Sequence, residues 1–450
     1  MALVCNSESP KKENLMKQIK LNVLAILILI SLLFPHLAFS HGWAGYEQGA
    51  KAKGMGGAFT GLADDPTAIY YNPAGIVQLD DTQISLGVAV PTGQGSFESA
   101  GTSGMPDISS GETTDLEQQY FLIPNFYATS KINDNISLGL GEYSIFGLGF
   151  EWPDSFEGRF APGGKNAELE TMTLSPVVAY RVTDNFSLSV GGRIERAELK
   201  LENKIFVAPG VEEVHSEISG DDYGLAWNAA MFFRFSDEWR AGFNYRSKIK
   251  HSFEDLDVDF SPQIDTLGPI PIGITNTKAR LDITLPQFAS FGLAWSRGPL
   301  TITFDGYWWE WSEIDELNFM LDDPVAGQTS LVTPMNWDNT WSWAIGAEYK
   351  VNAFDRDISL RGGFMYEECP VPDETVSPAG FQGDNLLYNI GAGFMIGPVY
   401  SDFFFSYVYT KDRTWNNDIG NVANPGGGPI TGEFTDYDTF IVGCNISYKF

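Results

Sequence analysis

The chain has 450 residues, 43% hydrophobic and 14% aromatic, with a mean hydropathy of −0.12, which excludes both a bundle of membrane helices and a disordered chain. Its formal net charge of −30 excludes a nucleic-acid partner, because phosphate binding requires a concentrated basic face. Glycines (47) far outnumber cysteines (3), which favours turns and strands without a disulfide framework.

In chain order, the first element is the apolar run from Leu21 to Phe39, which follows Lys17 and Lys20 and ends at the small residue Ser40. That order reads residues 1–40 as a secretory signal peptide, with Met16 as a possible true start and His41 as the first mature residue. A signal anchor is the competing reading, since the run is long. Removing residues 1–40 takes away four lysines and two glutamates, leaving 24 basic and 56 acidic groups. Residues 41–80 follow and lack the period of two that a strand requires. Gly54, Gly56, Gly57 and Gly61 allow tight backbone packing, and Asp64 or Asp65 can cap a short helix beginning at Pro66. This piece is expected to bury Trp43, Met55, Phe59 and Tyr70 in the mouth of whatever follows.

From residue 81 to 450 the sequence shows segments of roughly ten residues with alternate apolar positions. Trp239, Ala241, Phe243 and Tyr245 share one face, as do Trp341, Trp343, Ile345, Ala347 and Tyr349. Short turns near 133–135, 183–185, 236–238, 296–299, 352–357 and 397–398 alternate with long connections at 92–117, 150–170, 201–221, 250–276, 312–340, 367–386 and 411–437. That alternation is the layout of an all-β protein of the transmembrane type, an antiparallel β-barrel of about 14 strands. The last segment puts Phe440, Val442, Cys444, Ile446, Tyr448 and the terminal Phe450 on one apolar face, and closure leaves no unpaired edge in lipid. Cys444 reads there as a small hydrophobe, although a disulfide with Cys369 is open. The inward candidates Ser175, Ala179, Phe232, Phe291, Tyr307, Met395 and Phe404 are small or aromatic, which suits either an apolar cargo or a lumen filled by side chains.

The stretch GMGGAFTGLADDPTAIYYNPAGI, with Gly56, Gly57 and Asn72-Pro73-Ala74, resembles the N-terminal hatch of the FadL family of outer-membrane transporters. LPQFASFGLAWSRGPLTITFDGYWWEWSEI from Leu285, and LRGGFMYEECPVPDETVSP from Leu360 with Glu368-Cys369-Pro370-Val371-Pro372, look like its later strands. The resemblance implies a Gram-negative outer-membrane barrel, its lumen plugged by the hatch, that takes up long-chain fatty acids or, in some members, aromatic hydrocarbons. It also implies cargo leaving sideways through an inward kink of the third strand. Here that strand would place Glu142 toward lipid, a conflict that a bulge at Gly139 and Gly141 would relieve. A carboxylate cargo needs a basic partner, for which Arg159, Arg196, Arg246 and Arg280 are the candidates. Near the start of the tenth strand, where the family suggests a basic ligand, this chain has Asp338.

No enzymatic constellation is found. His215 and His251 fall in expected outer loops, no His or Cys spacing suggests a metal, and no phosphate loop is present. The acidic groups Glu212, Glu213, Glu217, Asp221 and Asp222, and then Glu254, Asp255, Asp257 and Asp259, read as solvated loops without EF-hand spacing. The expectation is a monomeric, cofactor-free transporter among outer-membrane lipid and lipopolysaccharide. A non-selective porin or a structural barrel is the alternative.

Overall fold

The computed structural model describes residues 48–101, 110–380, 383–417 and 430–450. The expected signal segment, 1–40, and positions 41–47 of the expected hatch, including Trp43, lie outside them. Among the described residues no helix is long and apolar enough to cross a membrane.

Fourteen antiparallel staves close into a barrel among the described residues. They are β1 (Thr82–Ser99), β2 (Ile123–Lys131), β3 (Ile136–Tyr143, resuming as Gly147–Glu151), β4 (Asn166–Thr183), β5 (Phe186–Ile205), β6 (Val214–Arg234) and β7 (Trp239–Arg246, then Ile249–Ser261). The circuit continues with β8 (Thr277–Leu285, then Phe288–Arg297), β9 (Leu300–Trp309), β10 (Thr340–Ala353), β11 (Arg356–Glu367), β12 (Asn385–Ile396), β13 (Val399–Thr410) and β14 (Gly432–Lys449). The β1–β14 ladder runs from Gln83 opposite Lys449 to Ser99 opposite Gly432 and removes the edge. In lipid an open edge would leave each orphan peptide group costing several kcal/mol. All six short turns fall where the alternation put them. At Phe354-Asp355 both residues take positive φ (56° and 57°), the backbone of a two-residue hairpin turn whose twist matches that of its strands.

The outward face carries Trp341, Trp343, Ile345, Tyr349, Val442 and Ile446, all more than a third exposed. Of the inward candidates, Ser175, Ala179, Phe232, Tyr307 and Phe404 are buried inside, and Met395 lines a cavity at the short-turn mouth. Phe291 is a correction: it has the outward parity of Leu293 and packs on Trp343 in the lipid-facing belt.

The long connections required a second correction. β5 and β6 run into the expected loop 201–221 from its two ends, and β7 runs through the first part of 250–276, as far as Ser261. His215 and His251 therefore lie in strands, as do Glu217, Asp221, Asp222 and the acidic run 254–259. Along Ile249–Ser261 the apolar residues Ile249, Phe253, Leu256, Val258 and Phe260 point inward, while Glu254, Asp255, Asp257 and Asp259 point out. An acidic outer face cannot sit in lipid, but above the membrane it meets water and the ladder continues.

Candidate functional site

Residues 48–80 lie inside the barrel as a plug with two short helices, α1 (Ala50–Gly54) and α2 (Ala68–Tyr71), and a 3₁₀ helix (Pro73–Gln78). Met55, Phe59, Ile69, Tyr70, Tyr71 and Ile76 are each at most 2% exposed, and each such side chain contributes about 1.5–3 kcal/mol of burial. Asn72 caps the 3₁₀ helix: its Oδ1 accepts from Ala74 N at 3.2 Å, with Pro73 in the first turn. Its Nδ2 donates to Thr60 O (2.9 Å) and to Met231 O of β6 (3.0 Å), while Ala74 O accepts from Ser187 Oγ of β5 (2.9 Å). Asn72-Pro73-Ala74 thus ties plug to plug and plug to wall. Asp65 accepts from Thr67 N and Oγ1 at 2.8 and 2.6 Å, so the helix begins at Ala68, two residues after Pro66.

Three staves on from β6, at β9, Asp305 Oδ2 accepts from Phe59 N (2.8 Å) and Thr60 N (2.7 Å), and the Tyr307 hydroxyl donates to Gly57 O (2.5 Å). Sequence reasoning missed Asp305. It also missed the wall glycines Gly242, Gly292, Gly346, Gly363 and Gly391, against which plug backbone packs so closely that a Cβ would fall 2.0–3.0 Å from it. Inward glycines in mid-strand, which otherwise weaken a sheet, were the available signal.

Gly56 and Gly57 both have positive φ, 70° and 81°, but a Cβ on Gly56 would lie 2.8 Å from Phe364 N of β11, whereas one on Gly57 meets nothing within 4 Å. Alanine at either position costs roughly 1–2 kcal/mol of backbone strain, and at Gly56 a collision with the wall as well. Gly56→Ala is therefore expected to lower the temperature at which the folded gel band converts to the unfolded one by more than Gly57→Ala does. The reverse ranking would show that the plug does not rest on β11.

Four arginines were singled out for a carboxylate, and only one faces the lumen. Arg159 is consumed by a two-pronged pair with Glu213 (2.7 and 2.9 Å), Arg196 lies outside between Glu198 and Asp221, and Arg280 lies outside on Asp322. Arg246 is 1% exposed, its guanidinium 4.1 Å over the Tyr70 ring of the plug and 4.7 Å over Phe288, and it donates to Tyr70 O. A second inward arginine, Arg193, is 2% exposed and lies within the electrostatic reach of Glu195, Tyr143, Tyr70 and Arg246. Arg193 Nε and Nη2 and Arg246 Nη1 have no hydrogen-bond partner among the described residues. Beside them Glu195 accepts from Thr173 Oγ1 (2.6 Å), and His251 sits between Glu195 (3.4 Å) and Asp222 (3.2 Å). Phe146, Phe288, Trp309, Trp311 and Trp337 continue the aromatic lining.

Toward the long loops a cavity of about 1120 Å³ is walled by Phe160, Leu201, Ile218, Phe260, Phe319 and Leu331, with Asp373 and Glu374 and no basic residue in its lining. At the short-turn mouth, below the plug, the lining of a smaller cavity of about 470 Å³ includes the charged Lys51, Asp64, Glu348 and Asp402. Behind it the buried Arg361 joins Glu348 (2.8 Å) and Asp402 (2.6 Å).

The wall is interrupted between β2 and β3. Their ladder covers only Phe126 opposite Glu142 to Lys131 opposite Ser137, and the second half of β3 pairs with β4 alone. Between the halves, Ser144, Ile145 and Phe146 turn inward and are buried; three residues there face two of β4, a one-residue bulge. The plug holds this bend, since Gln48 Nε2 donates to Ser144 O (3.0 Å) while Gln48 Oε1 accepts from Tyr127 OH (2.9 Å). Gly139, Gly141 and Glu142 precede it: the ladder is regular on both sides of them, so the break lies past Tyr143 rather than at the glycines. The glycines instead face the plug, where a Cβ would come within 2.9 Å of Ile69, and Glu142 is buried at the last paired position. No disulfide joins Cys369 to Cys444, and burial pushes the Cys369 thiol up to about 11 against the pull of Arg413.

Residues 36–450 match the family described as outer membrane protein transport protein (OMPP1/FadL/TodX). The long-chain fatty acid transport protein of Escherichia coli O6:H1 (strain CFT073) is 24% identical over 380 residues, 76% of this chain and 80% of that protein. Among solved structures, a FadL homologue of Pseudomonas aeruginosa superposes with a TM-score of 0.75 at 20% identity, covering 91% of this chain and all of that one. The Ralstonia pickettii toluene transporter TbuX superposes at 0.64 and 17% identity, covering 89% and 98%.

Proposed function

The chain belongs to the OMPP1/FadL/TodX family of outer-membrane transport proteins, and from that premise we propose that its cargo is a long-chain fatty acid rather than a neutral hydrocarbon. The observation that carries this reading is the pair Arg193 and Arg246, buried with guanidinium N–H groups left without partners. Unpaired buried donors are costly, and a carboxylate offers what they lack, an anionic acceptor with two oxygens. Toluene offers nothing of the kind.

The outer cavity receives the alkyl chain on Phe160, Leu201, Ile218 and Phe260, and the carboxylates of Asp373 and Glu374 turn the anionic head away from the lip. The head settles on Arg193 and Arg246, above the plug. Cargo then leaves through the interrupted wall between β2 and β3 into the outer leaflet, past Ser144–Phe146. The plug makes a continuous water pore unnecessary, and a barrel that closes on itself works as a monomer among lipid and lipopolysaccharide. No step calls for catalysis.

Binding of a saturated fatty acid and of the fatty alcohol of equal length tests this. In Arg193→Met or Arg246→Met, affinity for the acid is expected to fall by about ten- to a hundredfold, the worth of a hydrogen bond to a charged group, while affinity for the alcohol stays. Equal loss for both ligands, or none for the acid, would remove the headgroup site and leave hydrocarbon uptake as the better reading.

A further inference from the structure

We propose that the outer face of β5 and β6, near their long-loop end, holds a zinc-class divalent cation on Glu202, His215 and Glu217. The register sets Glu202 directly opposite Glu217 and Lys204 opposite His215, so on the same outward face the imidazole stands two residues along β6 from Glu217 and one diagonal from Glu202. One donor atom from each of the three lies within 4.8 Å of the others, the one such group of His, Cys, Asp and Glu among the described residues.

His215 Nε2 is 3.5 Å from Glu202 Oε2. That is long for a hydrogen bond, but two ligands on one tetrahedral ion stand about 3.4 Å apart when each bond is 2.0–2.2 Å. Asn166 Nδ2 stands 3.5 Å from Glu202 Oε1 and Ser219 Oγ 3.4 Å from Glu217 Oε1, too far to hold either carboxylate firmly. The Glu202 side chain is 11% exposed, and those of His215 and Glu217 are 29% and 33%. This leaves an open side for a fourth, water ligand. An imidazole with two carboxylates selects zinc and its transition-metal neighbours over calcium and magnesium, which prefer oxygen alone.

Lys200 now supplies the positive charge there, with its Nζ 2.5 Å from Glu202 Oε1 and 3.6 Å from Glu217 Oε2. Its side chain is 35% exposed on a flexible stem. A cation therefore competes with the ammonium for the same two carboxylates, and Lys200 sets the affinity of the site. The inner faces of the same strands present Leu201, Asn203, Ser216 and Ile218 to the outer cavity, so a bound ion would pin two staves of that cavity's wall.

The test is calorimetric titration of untagged full-length protein in detergent micelles with zinc chloride. Saturable binding of one zinc ion is expected. His215→Ala is expected to weaken it by at least tenfold, since even partners that merely orient a metal ligand are worth roughly 10–100-fold. Lys200→Met should tighten it, and calcium at equal concentration should leave it unchanged. Each variant is checked for the faster-migrating folded band on unboiled gels. No saturable binding, an unchanged affinity in His215→Ala, a weaker one in Lys200→Met, or displacement of zinc by equimolar calcium would each overturn the site.

Discussion

Deleting residues 41–78 is expected to leave a folded barrel whose single-channel conductance exceeds that of the intact protein by on the order of tenfold or more, as an unobstructed lumen of this strand number would carry water and ions. The ladder that closes the wall runs from β1 to β14 without help from the plug. The plug's own attachments, Asp305 to Phe59 and Thr60, Asn72 to Met231 O and Ala74 to Ser187, are made to the inner face. Removing them should lower the temperature of gel conversion, because Met55, Phe59, Tyr70 and Ile76 take several kcal/mol of burial with them, yet the folded band should persist. Asp305→Ala is the milder version: it strips the acceptor from two buried backbone N–H groups, at about 1–3 kcal/mol each, and should produce intermittent openings. A deletion variant that conducts no better than the intact protein would mean that something other than residues 41–78 closes the lumen.

Deleting Ile145 alone is expected to abolish most uptake of a labelled fatty acid while its binding survives. Ser144, Ile145 and Phe146 face two residues of β4, so removing one of the three brings the halves of β3 into a single register and removes the bend. A straight β3 can extend its ladder to Ile123–Asn125 of β2, which now pair only with β1, and the opening closes. Arg193 and Arg246 lie on β5 and β7 and are untouched. Valine at Gly139 or Gly141 is a poorer probe, because its side chain would strike Ile69 and move the plug as well. Normal uptake by a folded Ile145 deletion would place the exit elsewhere, most directly through the plug.

The barrel itself was legible because lipid imposes one rule on every crossing strand, apolar side chains at alternate positions with tight turns at one end. Trp341, Trp343 and Ile345, and the terminal face ending in Phe450, announce it unaided. The same rule misled above the membrane, where the apolar side of β7 turns inward and the outer face becomes acidic, so Glu254 to Asp259 read as loop. Gly56, Gly57 and Asn72-Pro73-Ala74 stood out as residue types with special backbone roles; in the fold Gly56 packs on Phe364 of β11, and Asn72 and Ala74 bond to β6 and β5.

What only the tertiary structure decided is which side of a stave each residue occupies and what stands across the lumen from it. Arg193 and Arg196 are three positions apart in one strand, so alternation sets them on opposite faces, but only closure of the barrel around the plug decided that the first turns inward and the second outward. Asp305 gains its meaning from two N–H groups some 245 residues away. The break in β3 is fixed by a mismatch of one residue against β4, which exists only when the strands are paired, and Glu202, His215 and Glu217 become neighbours only across the β5–β6 ladder. Periodicity is a property of a single segment and can be read from it; register, closure and enclosure are properties of pairs of segments, set by packing across the barrel.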